Sequence, residues 1–171
     1  MKRVVKVFFF IALIFSAGFA VQAQSKIGYV DSNEVMQAMP ERNTAEAALI
    51  EFNKQLESEL MTMAKEYQDK LADYQNNLAT MSNLIRQSKE KELTDLQTRI
   101  QAFQESAEHE FSEKQNELLA PIIEKIKGAI EAVGKENSFT YIIDKATGVL
   151  LYIGLDAEDI TPKVKTKLNI K

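Results

Sequence analysis

Apolar side chains recur at helical spacing over two long stretches of this chain. The first stripe reads Ala45, Leu49, Phe52, Leu56, Leu60, Met63, Tyr67, Leu71, Tyr74, Leu78 and Met81. Its steps are three or four residues and average 3.6 over the 36 residues it spans. The second reads Leu96, Ile100, Phe103, Ala107 and Phe111, then Leu118, Ile122, Ile126, Ala129 and Val133. Residues at these spacings share one face of an α-helix. Each stretch therefore predicts a long amphipathic helix with a narrow stripe that one partner helix can cover. A left-handed coiled coil requires a period of about 3.5, so the observed period predicts nearly straight helices with little supercoil. Lys114 and Gln115 interrupt the second stripe, which predicts arms able to splay.

Local signals set the ends of these helices. Pro40 fits a first helical position, where its missing N–H costs nothing. The first helix should run from there to about Ala79, roughly 60 Å at 1.5 Å per residue. Thr80-Met81-Ser82-Asn83 is the predicted break, because Ser and Asn favour caps and turns. The second helix should run from about Leu84 to about Gly134. Pro121 should kink it and free the carbonyl of Glu117. Gly134 and Asn137 read as stop signals.

The ends of the chain read as β structure. Ile27-Gly28-Tyr29-Val30 is a short strand, after which Asp31 or Ser32 caps a short helix to about Ala38. Phe139 to Ile143 and Val149 to Ile153 are β-branched, aromatic-rich runs. The turn Lys145-Ala146-Thr147-Gly148 predicts a hairpin between them, with Gly148 at positive φ. Their unbroken apolar character predicts burial on both faces. Thr161 as N-cap and Pro162 as first residue predict a final helix to about Leu168.

The predicted fold class is α+β. A small β-rich body, 24–39 with 135–171, carries a long antiparallel two-helix hairpin arm, 40–134, with its tip at about 80–88. Folding the two helices back on each other brings strand 27–30 beside strand 139–143. So small a body cannot cover the second face of its own strands, which predicts an oligomer built through it. Ile27, Tyr29, Tyr141, Ile143, Leu151 and Ile153 are the expected interface.

The N-terminus adds a location. Lys2, Arg3 and Lys6 precede an apolar run from Val7 to Ala20, and Val21-Gln22-Ala23 has the small residues of a cleavage site. This pattern predicts a secretory signal peptide, residues 1–23, cleaved after Ala23. The run is short for a transmembrane anchor, which needs roughly 20 residues. Its removal leaves 18 basic against 25 acidic residues, a charge of −7. Residues 60–100 are neutral, 24–59 and 101–137 are each −4, and 138–171 is +1. That balance excludes a nucleic-acid partner, which requires a basic face. With no Cys in the chain, stability must come from burial or oligomerisation rather than disulfides.

The chain shows no reactive constellation. His109 is the only histidine, and Glu105 one turn before it makes at most a pair, short of a metal site. No Gly-rich phosphate loop, nucleophilic Ser motif or HExxH pattern occurs. The expectation is a protein without catalytic residues, metal or cofactor. Candidate contact residues are instead apolar side chains off the stripe or at the tip. Met61 lies off the stripe, and Met81, Leu84 and Ile85 sit near the tip beside Arg86, Lys89 and Lys91. Methionine suits surfaces that accommodate varied partners.

Several of these segments together resemble a known family. Ile27-Gly28-Tyr29-Val30-Asp31, then Met39-Pro40-Glu41, is similar to the N-terminal signature of the Skp (OmpH-like) periplasmic chaperones. The resemblance continues at Leu118-Leu119-Ala120-Pro121-Ile122-Ile123 and through Phe139-Thr140-Tyr141-Ile142-Ile143-Asp144. It extends over Val149-Leu150-Leu151-Tyr152 and Asp159-Ile160-Thr161-Pro162-Lys163-Val164 to Leu168-Asn169. It implies a jellyfish-like homotrimer whose helical arms enclose a cavity. It further implies an ATP-independent holdase for unfolded outer-membrane β-barrel proteins in the periplasm. Relatives with basic surfaces meet anionic lipid or lipopolysaccharide, and the acidic charge here argues against lipid contact. Arg86, Lys89 and Lys91 are the exception. The competing reading is a coiled-coil spacer or adaptor subunit of an envelope assembly.

Overall fold

Two helices of unequal length form the arm. The computed structural model describes residues 25–170, so the signal peptide and its cleavage site lie outside the described residues. Strand β1 (Ile27–Val30) leads into helix α1 (Ser32–Ala38), then α2 (Pro40–Asn77), α3 (Asn83–Glu136) and strand β2 (Tyr141–Asp144). A 3₁₀ turn (Lys145–Thr147), a two-residue strand β3 (Glu158–Asp159) and helix α4 (Thr161–Lys167) complete the chain. Pro40 occupies the first turn of α2, and Ser82 caps α3 by accepting the Ile85 N–H at 3.3 Å. Helix α3 continues through Pro121. Every position of the two stripes is buried or half-buried except Leu78 beside the turn, so the 3.6-residue period was a sound guide.

The sheet is wholly parallel, in the order β2-β1-β3. Ile27 pairs with Tyr141 and Val30 with Asp144, so the two predicted strands do lie side by side. The third strand departs from expectation. Glu158 and Asp159 pair with Gly28 and Tyr29, and Val149 to Ile153 form neither a strand nor a hairpin with β2. Lys145 to Thr147 turn as a 3₁₀ helix, ended by Gly148 at φ 71° as expected for a left-handed glycine. The chain then crosses to the opposite edge of β1, as a parallel pairing requires and a tight hairpin forbids.

An aspartate marks the carboxyl end of each strand. Asp31 caps α1 by accepting the Glu34 N–H at 2.9 Å. Asp144 accepts the Ala146 N–H at 3.0 Å and also binds the Ser32 N–H and hydroxyl. Asp159 accepts the Thr161 N–H at 2.9 Å. Thr161 is thus the first residue of α4 rather than its cap, and its hydroxyl accepts the Asp31 N–H at 3.0 Å. Gly134 is not the stop of α3. That end is made by Asn137, whose amide donates to the Val133 carbonyl at 2.8 Å, and by Ser138 at φ 56°.

The body has a core of its own. Val30, Val35, Met39, Ile160 and Val164 pack with Ala45 of α2 and with Ile122, Ile126, Ala129 and Val133 of α3. The base of the arm is therefore part of the body's core. One face of the sheet is thus covered within the chain, and the second face, expected to need another copy, is the outer one. Gly28 and Val30 face inward and are buried, while Ile27 and Tyr29 point the other way.

Candidate functional site

The outer face of the sheet carries an exposed apolar surface. Ile27, Tyr29 and Ile143 line an open groove of about 560 Å³ with Leu150, Tyr152 and Ile153 from the crossing segment. Period-2 alternation puts Ile27, Tyr29, Tyr141 and Ile143 on one face. Tyr141 is 65% exposed and Leu151 96% exposed, both beyond the groove itself. Four of the six residues expected at an interface are thus brought together, and the other two stand exposed beside them.

The crossing segment has unusual chemistry for an exposed loop. Val149, Leu151, Tyr152, Ile153 and Leu155 are all exposed large apolar residues. Of the backbone N–H groups from Val149 to Ala157, only that of Ala157 donates to another of the described residues, to the Gly154 carbonyl. Sequence reasoning found the apolar run but assigned it to a strand inside one chain.

Charged side chains frame this face. Lys145 bonds to Asp31 at 3.3 Å and lies 5.9 Å from the centre of the Tyr29 ring. The Glu34 N–H, with Lys145 beside it, holds the Asp31 carboxyl below the usual aspartate range, and the Asp31 partnership raises Lys145. Glu158 bonds to Lys163 and Lys26, which lower it. Lys26 sits 4.1 Å from the centre of the Phe139 ring, a cation–π contact that ties the start of β1 to the start of β2.

The arm presents its contact candidates at two levels. Leu84 and Ile85 are exposed at the tip, and Met81 is half-buried there. Met61 is 73% exposed, but it lies about 25 Å back along α2 at 1.5 Å per residue. The fold does not gather these four into one site. Two of the cations beside them are paired, Lys89 with Asp73 at 2.9 Å and Lys91 with Asp95, while Arg86 is half-buried and makes no ion pair among the described residues.

Cross-arm polar contacts cluster at the two ends of the hairpin. Distally, Lys70 bonds to Glu92, Asp73 to Lys89, and the Tyr74 hydroxyl donates to Glu90 at 2.7 Å. Lys89 lowers Asp73, Lys70 lowers Glu92, and Glu92 raises Lys70. Proximally, Lys125 bonds to Glu41 and lowers it. Among the described residues no ion pair bridges the arms between these levels. The stretch between these levels, where Lys114 and Gln115 interrupt the second stripe, carries no such contact among the described residues.

His109 lies 3.5 Å from Glu113 rather than beside Glu105. Among the described residues no cluster of three or more His, Cys, Asp or Glu could hold a metal. No described helix is long and apolar enough to cross a membrane.

A parallel three-stranded body with a helical hairpin projecting from its core places the chain among hairpin-armed α+β proteins. Its residues 26–168 match the family model described as outer membrane protein (OmpH-like), and the chain belongs to that family. It is similar to the chaperone protein Skp of Pectobacterium atrosepticum, at 28% identity over 90% of this chain and 92% of that protein. The chaperone protein Skp of Photorhabdus luminescens is 31% identical over 80% of this chain and 81% of its own length. Among solved structures, an OmpH-like protein of Caulobacter crescentus CB15 has the same fold. Its TM-score is 0.71 at 15% identity, over 89% of this chain and 88% of that one.

Proposed function

We propose that this protein is a periplasmic chaperone that holds unfolded outer-membrane β-barrel proteins between helical arms without ATP. The observation that carries this reading is the likeness to the Skp chaperone of Pectobacterium atrosepticum along nine-tenths of both chains. The physical chemistry is in keeping with it. Barrel segments alternate apolar and polar residues and aggregate in water, so they need shielding rather than a reaction.

In this reading the protein is a homotrimer joined through the outer sheet face. Ile27, Tyr29, Tyr141, Ile143, Leu151 and Ile153 form the interface. The support is the exposed apolar segment 149–155, whose N–H groups have no partner among the described residues. Backbone donors and apolar side chains both become satisfied when a neighbouring copy covers them. Clients contact Met61, Leu84 and Ile85, with Met81 contributing at the tip. The export signal delivers the chain to the periplasm and is removed after Ala23.

A structural spacer draws support from one observation, the ion pairs that close the distal arm. Aggregation of a denatured β-barrel protein, diluted into nucleotide-free buffer, separates the two readings. A holdase suppresses aggregation near one trimer per client. A spacer leaves the aggregation rate unchanged.

A further inference from the structure

All the net charge of residues 24–171 lies at one level of the arm. The segments 46–64 and 100–118 contain nine acidic and two basic residues, giving −7. The distal arm, 65–99, has six of each sign and is neutral. The remaining residues, 24–45 with 119–171, have ten of each and are also neutral. The two acidic segments face each other across the hairpin, because the contacts Lys70–Glu92 and Glu41–Lys125 fix an antiparallel register with its turn at 78–82. All nine carboxylates are exposed.

An apolar slot opens at this level. Leu56 and Leu60 of α2 and Phe103 and Phe111 of α3 line a groove of about 490 Å³, with Glu57 and Glu108 also on its walls. Two like charges beside one slot oppose its closure. The absence of a bridging ion pair here among the described residues agrees with that, while pairs close the arm above and below. A second copy of the arm would bring the same negative band and be repelled. A segment with apolar side chains and positive flanks satisfies both the slot and the field around it.

We infer that this mid-arm slot selects cationic-aromatic segments of unfolded clients: Phe, Tyr or Leu side chains enter between α2 and α3 while flanking Lys or Arg meet the acidic band. This inference rests on the chaperone reading above and names the client segments that the arm prefers. Exposed charges act over about 10 Å at 0.1 M salt and less as salt rises. The preference is therefore strong at low salt and weakens when salt is added.

Two fluorescent peptides with the same Phe and Leu residues, one flanked by Lys and one by Glu, test this on the intact mature protein. Fluorescence anisotropy should give the Lys-flanked peptide about tenfold tighter binding at low salt, with the gap closing in 0.5 M NaCl. Glu57→Lys with Glu108→Lys should abolish the preference at unchanged helicity and assembly mass. Leu60→Ser should weaken both peptides. Equal affinities, or a preference that survives the double charge reversal, overturn the inference. Suppression of barrel-protein aggregation is read in parallel on the same samples. If it persists while the peptide preference is absent, this inference alone fails. If it too is absent, the chaperone reading fails with it.

Discussion

Phe139 occupies the space that a side chain on Gly28 would need. A Cβ at Gly28 would stand 3.0 and 3.1 Å from two atoms of the Phe139 ring and 3.3 Å from Ile160. The ring is itself held near Lys26 and Lys163, at 4.1 and 5.8 Å from its centre. The close approach of β1 to the start of β2 therefore depends on a residue with no side chain. Gly28→Ala should destabilise the body by about 1–3 kcal/mol, the usual cost of overpacking. At Gly134 a Cβ would meet only the mobile end of Ile142, at 2.9 Å. Gly134→Ala gains about 1 kcal/mol of helix propensity against that contact and should remain close to wild-type stability. Urea unfolding of the two variants checks the contrast.

Leu151 tests the assembly. Its 96% exposure in the single chain means that Leu151→Asp should leave the monomer fold intact. An unpaired charge in a subunit interface costs several kcal/mol, so the variant should sediment as a monomer where the wild type is a trimer. A wild type that is monomeric and folded at micromolar concentration defeats the homotrimer proposal.

Asp31 should make the body acid-sensitive. Its carboxyl is held below the ordinary aspartate pKa of about 3.9 by the Glu34 N–H and by Lys145. Its stabilisation is therefore complete above that pH and is lost as pH falls through the lowered folded-state value. Asp31→Ala should cost about 1 kcal/mol at pH 7 as a lost helix cap, and the deficit should shrink in acid. Asp31→Asn retains a capping group and should cost less. Unfolding midpoints of the three proteins at neutral and acid pH give the comparison.

Met61, Leu84 and Ile85 test client contact along the arm. They are 73%, 78% and 50% exposed, so replacing all three with Ser should spare helicity and trimer mass. Each partly buried contact contributes on the order of 1 kcal/mol, and three arms add avidity. Affinity for an unfolded barrel protein should fall by at least about tenfold. Wild-type affinity in the triple variant would move client contact off these residues.

Helical periodicity made most of the arm legible, because it is a local property. Pro40, Ser82 and Asn137 marked its ends within a few residues through caps and missing N–H groups. The pairing of β1 with β2 followed from folding the arm back on itself. The error lay at β3. Glu158-Asp159 is short and charged and carries no strand pattern, whereas Val149 to Ile153 has the composition of a strand. Strand composition records a half-buried surface rather than a backbone partner. The segment reads as a strand although no described strand of its own chain pairs with it.

By itself, the sequence determined the two long helices, the position of their turn, strands β1 and β2 beside them and the separate acid excess of two stretches. Each is written in neighbouring residues, through periodicity, capping chemistry or a count of charge. Only the tertiary structure decided that the sheet is parallel and that its inner face shares a core with the base of the arm. It also decided that Met61 stands far from Leu84 and that the two acidic stretches meet beside one apolar slot. Those relations join residues far apart in the chain, from 30 to 160 in the core and from 57 to 108 at the slot. Their geometry is set by the antiparallel register of α2 and α3 and by the crossing of the chain to the far edge of β1, which no local pattern encodes.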